Sequence, residues 1–338
     1  MKLDALHAIL EQQESVDLGH LPTPIEPLPR LSEALGGPEI WVKRDDLTGL
    51  ATGGNKVRKL RFLMSDALRQ GAEVVLTTGA QQSNHARQTA AAAAQLGLAC
   101  VLVLGGDPPA DAPQGNYLLD RIVGAEVRWA GERPIPDALM DEAAREREAG
   151  RRAYVVPYGG SNAVGVCGYV EALAEVWTQA PHVPWFDKIV VASSSGGTQA
   201  GLLVGARALG YEGEIHGISI AEPAPAFREQ IAMHANHSIQ HLGLAIPPIA
   251  AEDVTVHDAY LGGGYGVVGE LEREAIALAG QTEGLLVDPV YTGRALGGLI
   301  DLIRRGEIGP GERVLFWHTG GTPALFAYAG EIAGPAKK

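Results

Sequence analysis

Lys56 stands directly behind a glycine turn in the run Thr52-Gly53-Gly54-Asn55-Lys56-Val57-Arg58-Lys59-Leu60, where an amphipathic helix begins. Two glycines allow the backbone a tight turn through positive φ, and an asparagine can cap the helix that follows. A lysine fixed at that point cannot swing like a surface lysine in mid-helix. It suits an amine that condenses with a carbonyl to form a Schiff base. Taken alone, the same four residues also describe an ordinary exposed helix start. Three further segments, each shaped for one part of a single ligand, favour the chemical reading.

The first is Gln81-Gln82-Ser83-Asn84-His85-Ala86-Arg87, which follows an apolar run ending Thr77-Thr78-Gly79. A polar cluster between a strand end and a helix start is where α/β proteins bind ligands. Helix N–H groups there favour a carboxylate, to which Ser83 or Asn84 can add side-chain bonds. Plain helix capping would use the same residues. The second is Ser193-Ser194-Ser195-Gly196-Gly197-Thr198-Gln199-Ala200-Gly201, again between an apolar strand and a helix. Its hydroxyls, glycines and free N–H groups make a phosphate cradle. The third is a pair of strand-end segments, Asp288-Pro289-Val290-Tyr291-Thr292-Gly293 and Trp317-His318-Thr319-Gly320-Gly321-Thr322. There Tyr291 or Thr319 could bond a heteroaromatic nitrogen or a leaving group, and turn chemistry around a packed tyrosine is the plainer alternative.

Three rival motifs carry less. Gly49 to Lys56 resembles a P-loop, but Asn55 intervenes before the lysine and Val57 replaces the magnesium-binding hydroxyl. Gly264-Tyr265-Gly266-Val267-Val268-Gly269 matches G-x-G-x-x-G, with Asp288 about twenty residues on. That makes a NAD-dependent dehydrogenase the alternative from a different class, although Leu261-Gly262-Gly263 supplies no apolar strand before the glycines. His234, His237 and His241 share a helical face at a spacing that could hold zinc. They lie among polar residues with no cysteine or carboxylate ligand, which describes a solvated face, so no metal is expected.

The elements that must position these groups alternate along the chain. Strands are predicted at Glu73–Thr78, Ala99–Leu104, Glu126–Trp129, Ala153–Pro157, Lys188–Ala192, Glu214–Ala221, Leu285–Val287 and Arg313–Trp317. Helices are predicted over Ser83–Leu96, Val164–Trp177, Glu270–Ala279 and Gly293–Arg305. Near-continuous apolar strands alternating with helices indicate parallel sheets covered on both faces. The expected fold is α/β with two open, twisted, mostly parallel sheets. A smaller domain, residues 51–160, is inserted in a larger one made of residues 1–50 and 161–338. The proline-rich stretch from Leu21-Pro22-Thr23-Pro24 to Pro29 reads as an extended arm on the surface.

The composition sets the outer limits. The 338 residues are 46% hydrophobic and 20% charged, which describes a globular protein with a sizeable core. A net charge of −13 gives no electrostatic support to nucleic-acid or anionic-membrane binding. An anionic ligand must therefore be held by a local device. No apolar run reaches membrane-spanning length, and the N-terminal Met-Lys-Leu-Asp-Ala-Leu-His shows no apolar leader. Cys100 and Cys167, both in apolar surroundings, suit a reducing compartment. A cytoplasmic location is expected.

Schiff-base lysine, carboxylate-binding Ser-Asn, phosphate loop and strand-end hydroxyls together describe a pyridoxal 5'-phosphate site. The combination resembles the tryptophan-synthase-β-like, fold type II, pyridoxal-phosphate enzymes. Within them it is similar to the group of D-cysteine desulfhydrase and 1-aminocyclopropane-1-carboxylate deaminase. The resemblance runs from Leu21-Pro22-Thr23-Pro24 through Lys43-Arg44-Asp45-Asp46, Gly53-Gly54-Asn55-Lys56, Gln82-Ser83-Asn84 and Gly159-Gly160-Ser161-Asn162. It continues through Ser195–Gly201 and Asp288–Gly293 to Thr319–Leu325. It implies that Lys56 carries the cofactor and removes the Cα proton. It also implies that Asn84 bonds the cofactor's phenolic oxygen and that Ser195, Gly196, Gly197 and Thr198 hold its phosphate. Ser83, Asn84 and His85 would meet the substrate, with Tyr265 and Tyr291 flanking it and Tyr291 protonating a departing sulfur. In the cyclopropane deaminases a glutamate follows the tyrosine and pairs with the pyridine nitrogen. Here Thr292 takes that place, with Thr319 nearby, so the ring is a weaker electron sink. The resemblance therefore implies a β-eliminating lyase with a small amino-acid substrate, D-cysteine first. L-cysteate sulfo-lyase and cyclopropane deaminase remain as alternatives. It also implies a homodimer, and a shorter loop between Gly105-Gly106 and Tyr117 than its relatives carry.

Overall fold

The computed structural model describes residues 1–179 and 185–333. Ten strands occur among them: β1 Ile25–Pro27, β2 Glu39–Arg44, β3 Val74–Gly79, β4 Ala99–Leu104, β5 Glu126–Trp129, β6 Ala153–Val155, β7 Lys188–Ser193, β8 Glu214–Ser219, β9 Thr255–His257 and β10 Arg313–His318. They form two sheets. The larger has the order β1-β2-β10-β7-β8-β9 and the smaller β5-β4-β3-β6. Every pairing is parallel except β1 with β2. The α/β architecture with two mostly parallel sheets is thus as the alternation of apolar runs implies.

Both faces of each sheet are buried, which is why the strands read as continuous apolar runs. In the larger sheet Val190, Ile218, Val314 and Phe316 pack on one side against helix Thr292–Arg304 through Leu296 and Leu299. The alternate residues Ile189, Val191, Leu315 and Trp317 pack on the other against Tyr169, Leu173 and Leu202. In the smaller sheet Val75, Leu102 and Leu104 meet Leu60, Leu63 and Met64 of helix Lys56–Arg69. Val74, Leu76, Val101 and Val103 meet Ala138 and Leu139 of helix Ile135–Glu148.

Two expectations about local structure need correction. Leu285–Val287 is extended but joins no ladder: Leu285 and Val287 are buried while Leu286 is exposed. It is tied to β10 through a side chain, His318 Nε2 lying 3.0 Å from Leu286 O, and not through backbone pairing. The proline-rich arm is only partly at the surface. Ile25–Pro27 is the antiparallel edge strand of the larger sheet, a place that tolerates proline because no ladder donor is needed there. Thr23 is buried, its Oγ1 donating to Asp45 Oδ1 at 3.0 Å.

Beneath the start of helix Lys56–Arg69 lies a buried ionic layer. Arg58 donates to both oxygens of Asp45 at 3.0 Å through Nε and to Glu175 at 2.9 Å. Lys43 Nζ donates to Glu175 Oε1 at 2.5 Å and to Thr23 O at 2.7 Å. Tyr169 and Trp317 complete the coordination of Asp45 Oδ2 at 2.6 and 2.8 Å. This layer fixes the helix against β2, β10 and helix Ala163–Gln179. Cys100 and Cys167 are both buried free thiols. No helix among the described residues is long and apolar enough to cross a membrane.

Candidate active site

Parallel register brings the ends of β2, β10 and β7 to one edge of the larger sheet, with His318 beside Arg44 and Trp317 beside Val191. Ligands of α/β proteins gather at such C-terminal strand ends. The loops leaving β10 and β7 carry Thr319 and Ser194–Gly196. With Asn55, Lys56, Asn84, His85, Ser193, Thr198 and Tyr291 they line a cleft enclosing about 440 Å³. Five separate stretches of the sequence thus converge on one place.

The lysine is presented by a tightly constrained loop. Ala51 and Thr52 have φ of 44° and 74°, the non-glycine residues with positive φ among those described, and Gly53 and Gly54 continue at 75° and 133°. A side chain at Gly53 would come within 1.9 Å of Asp46 O. Thr48 Oγ1 receives Gly54 N–H at 2.8 Å and donates to Gly54 O at 2.9 Å, while Asn55 N–H reaches Thr319 O at 2.9 Å. Lys56 then opens helix Lys56–Arg69, its backbone N–H held by Gln88 Oε1 at 3.0 Å. Its ammonium has no salt-bridge partner among the described residues. Burial lowers its pKa from 10.5 to about 8. Asn55 does not cap the helix; its Nδ2 donates to Thr198 Oγ1 at 3.2 Å and joins the lysine loop to the serine-glycine loop.

The serine-glycine loop runs into a helix start and is closely packed at its glycines. Gly196, with φ of 80°, precedes helix Gly197–Leu209, whose first-turn N–H groups have no partners within the helix. A Cβ on Gly196 would lie 2.9 Å from Ile231 Cγ1, and one on Gly197 would lie 2.4 Å from Ser161 Oγ. Ser161 Oγ lies 2.8 Å from Ser195 Oγ and accepts Gly197 N–H at 3.2 Å. Ser193 is buried with its hydroxyl unpartnered.

Behind this loop lies Lys59, which sequence reasoning overlooked. It is fully buried, and its Nζ donates to Gly159 O at 3.1 Å and to Ser161 Oγ at 3.2 Å. Burial, and then the charge of Lys56, press its pKa well below the lysine value. The signal was present: Lys56 and Lys59 stand three apart and so share a helix face.

Ser83 caps helix Asn84–Gln95, its Oγ accepting Ala86 N–H at 3.1 Å, and it stands just behind the residues lining the cleft. The capping alternative is therefore realised at Ser83, while Asn84 and His85 face the cleft. Asn84 Oδ1 accepts from Arg87 Nη1 at 3.1 Å and Asn116 Nδ2 at 2.9 Å. These bonds fix the amide with Nδ2 free to donate. His85 is almost wholly buried, Nε2 lying 2.9 Å from Thr77 Oγ1 and Nδ1 unpartnered. Because Thr77 Oγ1 gives its proton to Val156 O, His85 Nε2 carries the imidazole proton. Burial first, then Lys56 and Lys59, keep this ring neutral.

Tyr291 and Tyr265 are brought together, hydroxyl to hydroxyl at 2.6 Å. Burial holds both phenols above their ordinary value, so both are protonated. Tyr265 comes from the G-x-G-x-x-G stretch, which follows turns, β9 having ended at His257; there is no strand-glycine-helix unit for a dinucleotide. The two threonines part company. Thr292 is completely buried and gives its hydroxyl proton to Asp288 Oδ1 at 2.7 Å while accepting Asp288 N–H at 2.7 Å. Thr319 lines the cleft, and its hydroxyl has no partner in the described chain. Of the two, Thr319 is the one with a proton to offer. The three histidines divide likewise: His237 and His241 are exposed, but His234 is half-buried behind Gly196, its pKa lowered by burial to about 4. Among the described residues no cluster of three or more His, Cys, Asp or Glu is arranged to hold a metal.

Comparison with known proteins agrees with this geometry. A curated D-cysteine desulfhydrase of Salmonella newport is 44% identical over 312 residues, 91% of this chain and 94% of its own. A crystal structure described as that of an ACC deaminase homologue superimposes with a TM-score of 0.89 at 39% identity, covering 97% of this chain and 98% of that one. Threonine deaminase isoform 2 of Solanum lycopersicum, at 15% identity and a TM-score of 0.69 over 98% of this chain and 87% of its own, shares the fold. The family model described as pyridoxal-phosphate dependent enzyme matches residues 16–320, and the chain belongs to that family.

Proposed function

We propose that the chain is a β-eliminating lyase that converts D-cysteine and water to pyruvate, hydrogen sulfide and ammonia. The observation that carries the reading is the cleft itself. Lys56 lines its wall, partly exposed, and Lys59 is buried behind it, neither with a carboxylate partner, and no carboxylate lines the cleft among the described residues. In a chain of net charge −13 such a site awaits anions. The glycine-lined cradle and the orphaned Ser193 hydroxyl fit a phosphate, and the buried amine fits a carbonyl cofactor. Pyridoxal phosphate, when bound, supplies the electron sink that makes the substrate Cα–H acidic.

The chain's own groups do the rest. Ser195, Gly196, Gly197 and Thr198 hold the phosphate, with Lys59 as counter-charge, and Asn84 Nδ2 donates to the cofactor's ring oxygen. Lys56 Nζ would anchor the cofactor and would be the base that takes the Cα proton. A pKa of about 8 leaves a useful neutral fraction near pH 7, where an ordinary lysine would have almost none. The helix start at Ser83, Asn84 and His85 receives the substrate carboxylate. Tyr291, kept protonated and hydrogen-bonded to Tyr265, gives its proton to the departing sulfur. Thr319, lining the cleft with a free hydroxyl, would serve the ring nitrogen as a neutral donor. With no carboxylate there, the site suits expulsion of a good leaving group such as thiolate more than opening of a cyclopropane. The relative named D-cysteine desulfhydrase supports the same substrate.

The same reading makes the protein a cytoplasmic homodimer and divides it into a unit of residues 51–160 inserted in one of residues 1–50 and 161–338. The confinement of the smaller sheet to residues 74–155 supports that division. The test is the visible spectrum of the purified protein and of Lys56→Ala, followed by D-cysteine, L-cysteine, L-cysteate and 1-aminocyclopropane-1-carboxylate. Wild type is expected to be yellow and to release pyruvate and sulfide from D-cysteine. Lys56→Ala is expected to lose the lysine-dependent band and more than about 10³-fold of activity. Sulfite from cysteate alone would change the substrate. A protein that pyridoxal phosphate cannot colour would overturn the reading.

A further inference from the structure

Arg87 lies one turn into helix Asn84–Gln95 and has no exposed surface. Its Nη2 donates to Gly53 O at 2.7 Å, three residues before Lys56. Its Nη1 donates to Asn84 Oδ1 at 3.1 Å and to Asn116 Oδ1 at 2.7 Å. Asn116 closes the ring: its Nδ2 donates to Asn84 Oδ1 at 2.9 Å and to Gln82 O at 2.8 Å. No carboxylate reaches ion-pair distance of this guanidinium among the described residues. Its hydrogen bonds go instead to the lysine loop and to the asparagine that faces the cleft.

We propose that Arg87 is a positioning residue, whose rigid fork sets the Asn84 amide and the Lys56 loop at a fixed separation. The inference rests on the roles assigned above to Lys56 and Asn84. Asn84 Oδ1 takes two buried donors, so a flip of its amide would strand both, and Nδ2 must be the atom turned to the cleft. The planar guanidinium spans carbonyl and amide together in a way that a lysine's single point charge cannot. Lys56 and Asn84 would thereby be held for two groups of one bound molecule, its aldehyde carbon and its ring oxygen. A loop holding two non-glycine residues at positive φ needs such an external tie.

The experiment compares wild type, Arg87→Met, Arg87→Lys and Asn116→Ala, each loaded with pyridoxal phosphate. The readouts are the position and pH dependence of the cofactor's visible band, kcat and KM with D-cysteine, and Tm. Arg87→Met is expected to shift the band and lower kcat about 10- to 100-fold, with KM within about threefold of wild type. Arg87→Lys, which can keep one of the three hydrogen bonds, is expected to recover part of kcat. Asn116→Ala is expected to give a smaller shift in the same direction, and it serves if Arg87→Met fails to fold. Adding Arg87→Met to Asn84→Ala is expected to cost less than the sum of the two single losses, because part of the Arg87 effect passes through the Asn84 amide. A lower Tm with unchanged band and unchanged kcat per bound cofactor overturns the proposal, as do fully additive losses. A wild type that takes up no cofactor sinks the functional reading as well, whereas an unperturbed Arg87→Met beside a yellow wild type sinks this inference only.

Discussion

The first turn of helix Lys56–Arg69 carries two kinds of desolvated basic residue. Arg58 points into the layer it shares with Lys43, Asp45 and Glu175, where two positive and two negative groups are bonded within 3.0 Å. Lys56 and Lys59, two residues before it and one after, turn the other way and meet carbonyls, hydroxyls and open cleft. Burial alone would push Asp45 up, but the Arg58 guanidinium prevails and holds its carboxyl below the usual range. At Lys56 nothing opposes burial, and the amine becomes easy to deprotonate. Desolvation thus has opposite meanings. A cation with its counter-ion in the chain is part of the scaffold; one without is a place where a ligand supplies the counter-ion.

Removing a member of each region separates these meanings. Arg58→Met leaves Asp45 dry and unpaired, and a broken buried pair costs about 3–5 kcal/mol. Urea unfolding of the cofactor-free protein is expected to show that loss, while molecules still folded keep their cofactor band. Lys59→Met is expected to do the reverse. Cofactor-free stability should stay within about 1 kcal/mol of wild type, because no ion pair is broken. Pyridoxal phosphate should bind about 10- to 100-fold more weakly, the worth of a hydrogen bond to a charged group. Equilibrium titration of the stripped protein measures it, and a Lys59→Met protein that binds normally but unfolds easily would place Lys59 with the scaffold.

What the sequence disclosed, and what it withheld, follows the same division. Glycine turns before Lys56 and Gly197 are local devices, so their role in presenting a lysine and forming a cradle can be read without tertiary knowledge. The strands around them are legible because both faces of each sheet are buried. Whether a cation is scaffold or site is not local: Arg58 and Lys59 are neighbours in sequence, and only the fold gives one of them Asp45. The two threonines teach the same point. Thr292 and Thr319 both stand in segments that read as strand ends in the sequence, yet Asp288 takes the Thr292 proton and leaves Thr319 as the donor facing the cleft. Leu285–Val287 has a strand's composition, but a sheet position needs a neighbour with free backbone groups, and β10 already has β2 and β7.

Asp120 is the residue that could undo the comparison, because it is a buried carboxyl whose charge would be felt by Arg87 although the two do not reach ion-pair distance. It makes no hydrogen bond, and burial raises its pKa to about 8 against only a partial pull from Arg87. The folded chain then keeps a proton that the unfolded chain gives up near pH 4. Asp120 therefore costs nothing below pH 4, costs progressively more stability as pH rises, and reaches its full cost above about pH 8. Asp120→Asn abolishes this dependence. Denaturant unfolding is expected to find the variant equal to wild type near pH 4 and more stable by about 1–3 kcal/mol at pH 8. If Asp120 were instead ionised and paired, the variant would lose stability at pH 8, as Arg58→Met is expected to do. Arg87 would then belong with the compensated cations of the scaffold.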